Sequence, residues 1–128
     1  MRKLIYLMVV LAVAAATAWF SGPRVEANTV TSFDPASIGS DPQAYLAASE
    51  AKVSGIHDNL QKEIIWAYPA SKAKTPLALV YVHGFSASKN ETRPVPDMAA
   101  QALGANLYLT GLTGHGIDGN ALAEASVN

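Results

Sequence analysis

Residues 77–82 read Leu-Ala-Leu-Val-Tyr-Val, an unbroken apolar run that stops at His83-Gly84-Phe85 and turns small and polar at Ser86-Ala87-Ser88. A strand with one face in water alternates apolar and polar residues. A run without alternation is expected where both faces are covered, as in a parallel sheet flanked by helices. The chain must therefore supply cover on two sides of this segment, which points to an α/β layer architecture. Gly84, directly after the run, marks a sharp bend or a close approach of the backbone to something else. In open parallel sheets ligands bind beyond the carboxyl ends of the strands. His83-Gly84-Phe85 is thus the leading candidate for a functional site.

The flanking segments fit a strand–helix–strand unit. Residues 63–68 hold Ile64, Ile65, Trp66 and Tyr68, β-branched and aromatic as a strand requires. Residues 69–76 read as a turn or hairpin connection. Residues 91–103 are expected to be helical, with Pro94 and Pro96 in the first turn and Met98, Ala99, Ala102 and Leu103 on the packed face. Gly104 suits the position after the helix, and 106–110 reads as a second short buried strand. The crossover is expected to be right-handed. Residues 111–119 form a glycine-rich loop, and 120–126 start another helix. Upstream, Asp41-Pro42 reads as N-cap and first residue of a helix whose modest stripe is Tyr45, Leu46, Ser49 and Val53, ended by Ser54-Gly55. That stripe is too small for a membrane-lying or lid helix and fits ordinary packing on a domain.

Residues 1–27 have the form of a targeting segment. Arg2 and Lys3 precede an apolar run over 4–20 interrupted only by Thr17, and Pro23 breaks the helix. Val25-Glu26-Ala27 places small or modest residues where a signal peptidase cuts, so cleavage before Asn28 is expected. The rival is an uncleaved anchor: 4–20 is within the tolerated length for a span, with Trp19 and Phe20 at the interface. Either way the remainder crosses a membrane, to the periplasm, the envelope or the outside. Residues 28–40, polar and aperiodic, read as a linker, and 41–128 as part of a domain.

The ordered set His83-Gly84-Phe85-Ser86-Ala87-Ser88, Glu91-Thr92, Leu103-Gly104-Ala105-Asn106 and Leu112-Thr113-Gly114-His115-Gly116 resembles the α/β-hydrolase superfamily, in particular bacterial esterases and lysophospholipase-like serine hydrolases. The resemblance implies an α/β-hydrolase fold, represented here by its N-terminal part. It implies that His83-Gly84-Phe85 follows the third strand and lends a backbone N–H to an oxyanion hole. Gly114-His115-Gly116 would follow the fourth strand and shape the cleft. It implies a Ser/His/acid mechanism on carboxylic esters, small or lipid-like, with no cofactor. No residue of that triad is identifiable in this sequence. The expectation is a larger enzyme of which these 128 residues, inactive alone, are the first part. The alternative is a non-catalytic exported binding module on the same fold.

Other constellations are weaker. Gly84-Phe85-Ser86-Ala87-Ser88 nearly matches a nucleophile elbow, but Ser88 stands where Gly is needed and no helix follows directly. A triad of Ser86, Asp97 and His115 would place its acid inside a helix and its base beyond a different strand. Gly114-His115-Gly116-Ile117-Asp118-Gly119 fits a dinucleotide fingerprint literally, yet Gly111-Leu112-Thr113 separates it from the strand. His57, His83 and His115 lack metal-ligand spacing. The net charge is −1, with Arg2, Lys3 and Arg24 all in the leader, so the remainder is mildly acidic and unsuited to nucleic acid or anionic lipid. There is no cysteine, which excludes disulfides and thiolate metal sites within these residues.

Overall fold

The computed structural model describes residues 2–22, 24, 30 and 32–125. The chain divides into a leader unit, up to Val30, and a second compact unit, Thr31–Ser126. The leader is one helix, α1 (Arg2–Ser21), with no buried residue. It is apolar all round, and long and apolar enough to cross a membrane. Its two hydroxyls are satisfied within the helix: Thr17 Oγ1 donates to Val13 O at 2.8 Å and Ser21 Oγ to Thr17 O at 2.6 Å. Arg24 donates to the Trp19 carbonyl near the helix end. The expected cleavage site at Val25-Glu26-Ala27 lies outside the described residues.

The second unit is built on a three-stranded sheet of β1 (Glu63–Ile65), β2 (Ala78–Tyr81) and β3 (Asn106–Leu109). The last strand is central: the order is β1-β3-β2, with β1 antiparallel and β2 parallel to β3. Residues 69–76 are therefore no hairpin. The two strands that they join never pair with each other, because β3 lies between them. A buried amide explains where this connection goes. Asn106 accepts the Ala67 N–H on Oδ1 (2.9 Å), donates from Nδ2 to Ala73 O (3.0 Å), and gives its own N–H to Thr75 Oγ1 (3.0 Å).

Helices lie on both faces, unequally. Paired residues in a ladder share a face. One face carries Leu107 and Leu109, almost fully buried, with Ile65, Leu79 and Tyr81 packed around them and Ala100 of α3 (Val95–Leu103) on top. The opposite face carries Ile64, Tyr108 and Val80, aligned by register. There α2 (Pro42–Glu50) packs against β1, and with Phe33 and Ile38 it walls a cavity that reaches Tyr108. It stops short of Val80, which stays exposed, as do Leu77 and Val82. The apolar run 77–82 is thus not buried on both faces; β2 alternates between half-buried and exposed because cover on the second face ends at β1.

The remaining boundaries follow local chemistry. Asp41 caps α2 through Oδ1, taking the N–H groups of Gln43 and Ala44 at 3.0 Å. Glu50 ends α2 by gripping the Lys62 N–H with both oxygens, which delivers the chain to β1. Within the expected linker, Asp34 caps a short 3₁₀ helix, Pro35–Ile38. In α3 the buried residue is Ala100, with Pro96 and Asp97 half-buried, whereas Met98, Ala99, Ala102 and Leu103 are all exposed, so the expected packed face is wrong and the helix packs through nearly its opposite side. Gly104 ends α3 in the left-handed region at φ 58°. A chain of ion pairs runs from β1 to α3: Glu63 Oε2 meets buried Lys89 Nζ at 2.7 Å and Arg93 Nη1 at 3.4 Å, and Arg93 Nη2 meets Asp97 in turn. The last element, α4 (Gly119–Ala123), is capped by Asp118.

Candidate functional site

Parallel neighbours β2 and β3 end side by side, so the loops that leave them, 82–91 and 110–118, emerge together. Two histidines then lace the loops reciprocally. Buried His83 lies at 3.0 Å from Gly84 O through Nδ1, and its Nε2 lies 3.2 Å from the Leu112 N–H. A carbonyl only accepts and an amide only donates. These partners match the tautomer with the proton on Nδ1 and the lone pair on Nε2. His115 repeats the arrangement in the other direction. Its Nδ1 faces Thr113 O at 3.0 Å, and its Nε2 accepts the Ser86 N–H at 3.3 Å. The two rings lie 4.9 Å apart at 56°, and Phe85 meets His115 edge-on at 6.1 Å.

Three consecutive amides of the turn have different fates. The Gly84 N–H donates to Glu91 Oε2 at 2.9 Å. The Ser86 N–H goes to His115. The Phe85 N–H between them has no acceptor among the described residues. Its direction is nevertheless fixed. In a trans peptide the carbonyl and the following N–H point oppositely, and the Gly84 carbonyl is held by His83 and by the Ala87 N–H at 3.2 Å. The Phe85 side chain itself is 82% exposed and fills nothing.

Beyond this turn lies an open cleft of 570 Å3. Its lining includes Ser86, Ala87, Ser88 and Glu91 from the first loop, Gly114, His115, Gly116 and Ile117 from the second, and His57 and Leu60. Of the residues singled out by sequence, Gly114, His115 and Gly116 line the cleft, while His83, Gly84 and Phe85 do not; they directly precede Ser86, the first lining residue of their loop. Gly114 has φ 76°, and a Cβ there would fall 2.3 Å from the Ala121 carbonyl oxygen, so only glycine fits. Gly116, at φ 74°, accepts the His57 N–H at 2.8 Å. The cleft's charged groups among the described residues are acidic, Glu91 and Asp118; no Lys or Arg among them lines it.

Ser86 sits at φ 59°, a left-handed position unusual for a serine. Its hydroxyl makes no hydrogen bond among the described residues, and the His115 lone pair is taken by its backbone N–H. Asp97 pairs with Arg93, and His115 Nδ1 faces a carbonyl rather than a carboxylate. Ser86, Asp97 and His115 therefore do not form a relay. No group of three or more metal-ligating side chains occurs among the described residues.

Sequence reasoning names Glu91 only as part of the motif set, without a role, and passes over Lys89. Glu91 Oε2 takes both the Gly84 N–H and the Tyr81 hydroxyl (3.2 Å), and a Cβ at Gly84 would lie 3.2 Å from Oε1. Glu91 stands at the end of the small polar stretch after Gly84, but nothing in the spacing says that the chain folds back seven residues. No family model, curated protein or solved structure matches the chain.

Proposed function

We propose that the protein is an exported serine hydrolase acting on carboxylic esters, in which 82–91 supplies the oxyanion-binding turn. One observation carries this: the Phe85 N–H is aimed and unpaired at the parallel strand ends, between two amides that are both engaged. A fixed, unsatisfied backbone donor stabilises a developing oxyanion without reorganisation. The β1-β3-β2 order, with β1 antiparallel, supports the α/β-hydrolase resemblance of the motifs. The absence of Lys and Arg from the described lining of the cleft suits a neutral ester, small or lipid-like, rather than an anionic one. Helix α1 serves as signal or inner-membrane anchor, and needs no partner within the chain to do so.

The nucleophile is not among the described residues in attack geometry. The test is fluorophosphonate labelling of the protein isolated from its natural host, followed by peptide mapping. Labelling at a serine outside Met1–Asn128 is the expected result. Label on Ser86 would assign the nucleophile to this turn, a reading that its left-handed backbone favours. No label at all favours the non-catalytic binding module. In a labelled enzyme, Phe85→Pro deletes the donor and should lower turnover by about 10²–10³.

A further inference from the structure

We infer that Glu91 positions the oxyanion donor by immobilising Gly84, an inference that rests on the hydrolase reading above. Glycine has the largest conformational freedom of any residue. Gly84 nonetheless carries, on its carbonyl side, the peptide whose N–H is the Phe85 donor. Swinging either torsion of Gly84 re-aims that N–H. The carbonyl side is held by His83 and the Ala87 N–H. The amide side is held by Glu91 alone among the described residues, at 2.9 Å. With both peptides gripped, the torsions between them cannot drift.

The surroundings of Glu91 are built for this contact. The Tyr81 hydroxyl, from the end of β2, donates to the same Oε2 and anchors the carboxylate to the sheet. Gly84 is the residue that lets the carboxylate come so close, since a side chain there would press on Oε1 at 3.2 Å. The bond also removes the Gly84 N–H from competition, so that Phe85 alone presents a donor. Glu91 does not touch the reacting atoms and makes no covalent bond. Its negative charge is, if anything, adverse to an oxyanion nearby, and solvent exposure screens it. What matters is the accepting oxygen.

The distinguishing substitution is therefore E91Q, which keeps an accepting oxygen and drops the charge, against E91A, which drops both. In the enzyme as its natural host makes it, E91A should lower kcat by about 10–10² with KM little changed, since misplacement of a donor acts on the transition state. E91Q should turn over at or above the wild-type rate. In parallel, amide hydrogen exchange should show the Gly84 N–H losing protection in E91A and regaining it in E91Q. The Leu107 amide, in the central strand, should be unchanged in both. E91Q as impaired as E91A, or E91A with undiminished kcat, overturns the inference. Should the Leu107 amide show that E91A has lost its fold, E91D carries the test: the charge stays, the reach shortens, and kcat should fall. Phe85→Pro keeps the two claims apart. If it spares turnover, the oxyanion reading itself fails; if it abolishes turnover while E91A does not, only the role of Glu91 fails.

Discussion

Three glycines allow the geometry of the cleft wall to be weighed against itself. Gly104, Gly114 and Gly119 contrast in backbone angle and free space. Gly104 has φ 58° with nothing within 4 Å of where a Cβ would stand, so alanine there pays only for the left-handed backbone, about 1–2 kcal/mol. Gly114 has φ 76° and adds a steric conflict: its Cβ would meet Ala121 O at 2.3 Å, Ala121 C at 2.9 Å and Ala125 Cβ at 3.1 Å. Two of these three atoms are backbone and cannot rotate away, so α4 must shift. Overpacking of that kind costs about 1–3 kcal/mol beyond the torsional term. Gly119 has neither difficulty, and alanine at the start of α4 should gain about 0.4–1 kcal/mol. For a domain of about 60–100 residues each kcal/mol moves the melting temperature by about 4–8 °C. Thermal unfolding followed by circular dichroism, on the whole chain in mild detergent, should rank Gly119→Ala above wild type, Gly104→Ala below it, and Gly114→Ala lowest. The gap between the last two should be at least about 4 °C, which is the steric cost by itself. If Gly104→Ala and Gly114→Ala melt together, the approach of Gly114 to α4 is not as drawn.

Other outcomes follow from single contacts. Glu63→Ala leaves buried Lys89 without its carboxylate, so it should destabilise more than Lys89→Met, which removes the buried charge as well; urea midpoints decide the order. The Tyr108 hydroxyl is pushed above the usual phenol value, first by burial and then by Glu50 and Tyr45. A raised native value means that its contribution is intact below about pH 10 and is lost as pH rises further, so Tyr108→Phe should flatten the alkaline fall in stability and leave neutral pH nearly unchanged. The outer edge of β2 pairs with no strand among the described residues, and Leu77, Val80 and Val82 flank it, exposed. Such an edge invites pairing between chains. Light scattering after size exclusion should show concentration-dependent association of the second unit that Val80→Lys abolishes.

Much of the local punctuation is legible in the sequence because it rests on one residue's chemistry. Asp41 caps α2 and Gly104 closes α3 with a left-handed backbone, each through a short-range bond, whereas the Asp118 cap of α4 falls in what the sequence reads as loop. Composition overstates the length of β1 and β2 because apolar residues continue past the ladder: Trp66, Tyr68 and Val82 have no strand partner to extend it. It misleads on the two-sided burial of 77–82 for a related reason. Apolar composition records the cover that a segment suits, and here α2 reaches β1 without reaching Val80. The site divides in the same way. His83, Gly84, Phe85, Gly114, His115 and Gly116 stand out as motifs, and the structure brings their two loops together. The acceptors that organise them, Glu91 for Gly84 and each histidine for the opposite loop, depend on how the chain folds back. No local pattern encodes that.

The central position of β3 has a consequence for synthesis. Neither β1 nor β2 has a strand to pair with until Asn106–Leu109 exists, and the buried amide that gathers 67–75 is the first residue of that same strand. A ribosome adds roughly 5–20 residues per second. For the seconds before residue 109 is made, the three-stranded sheet among the described residues cannot close. β3 is thus the keystone of the three described strands: a chain that ends or stalls before Asn106 holds two strands and nothing to join them.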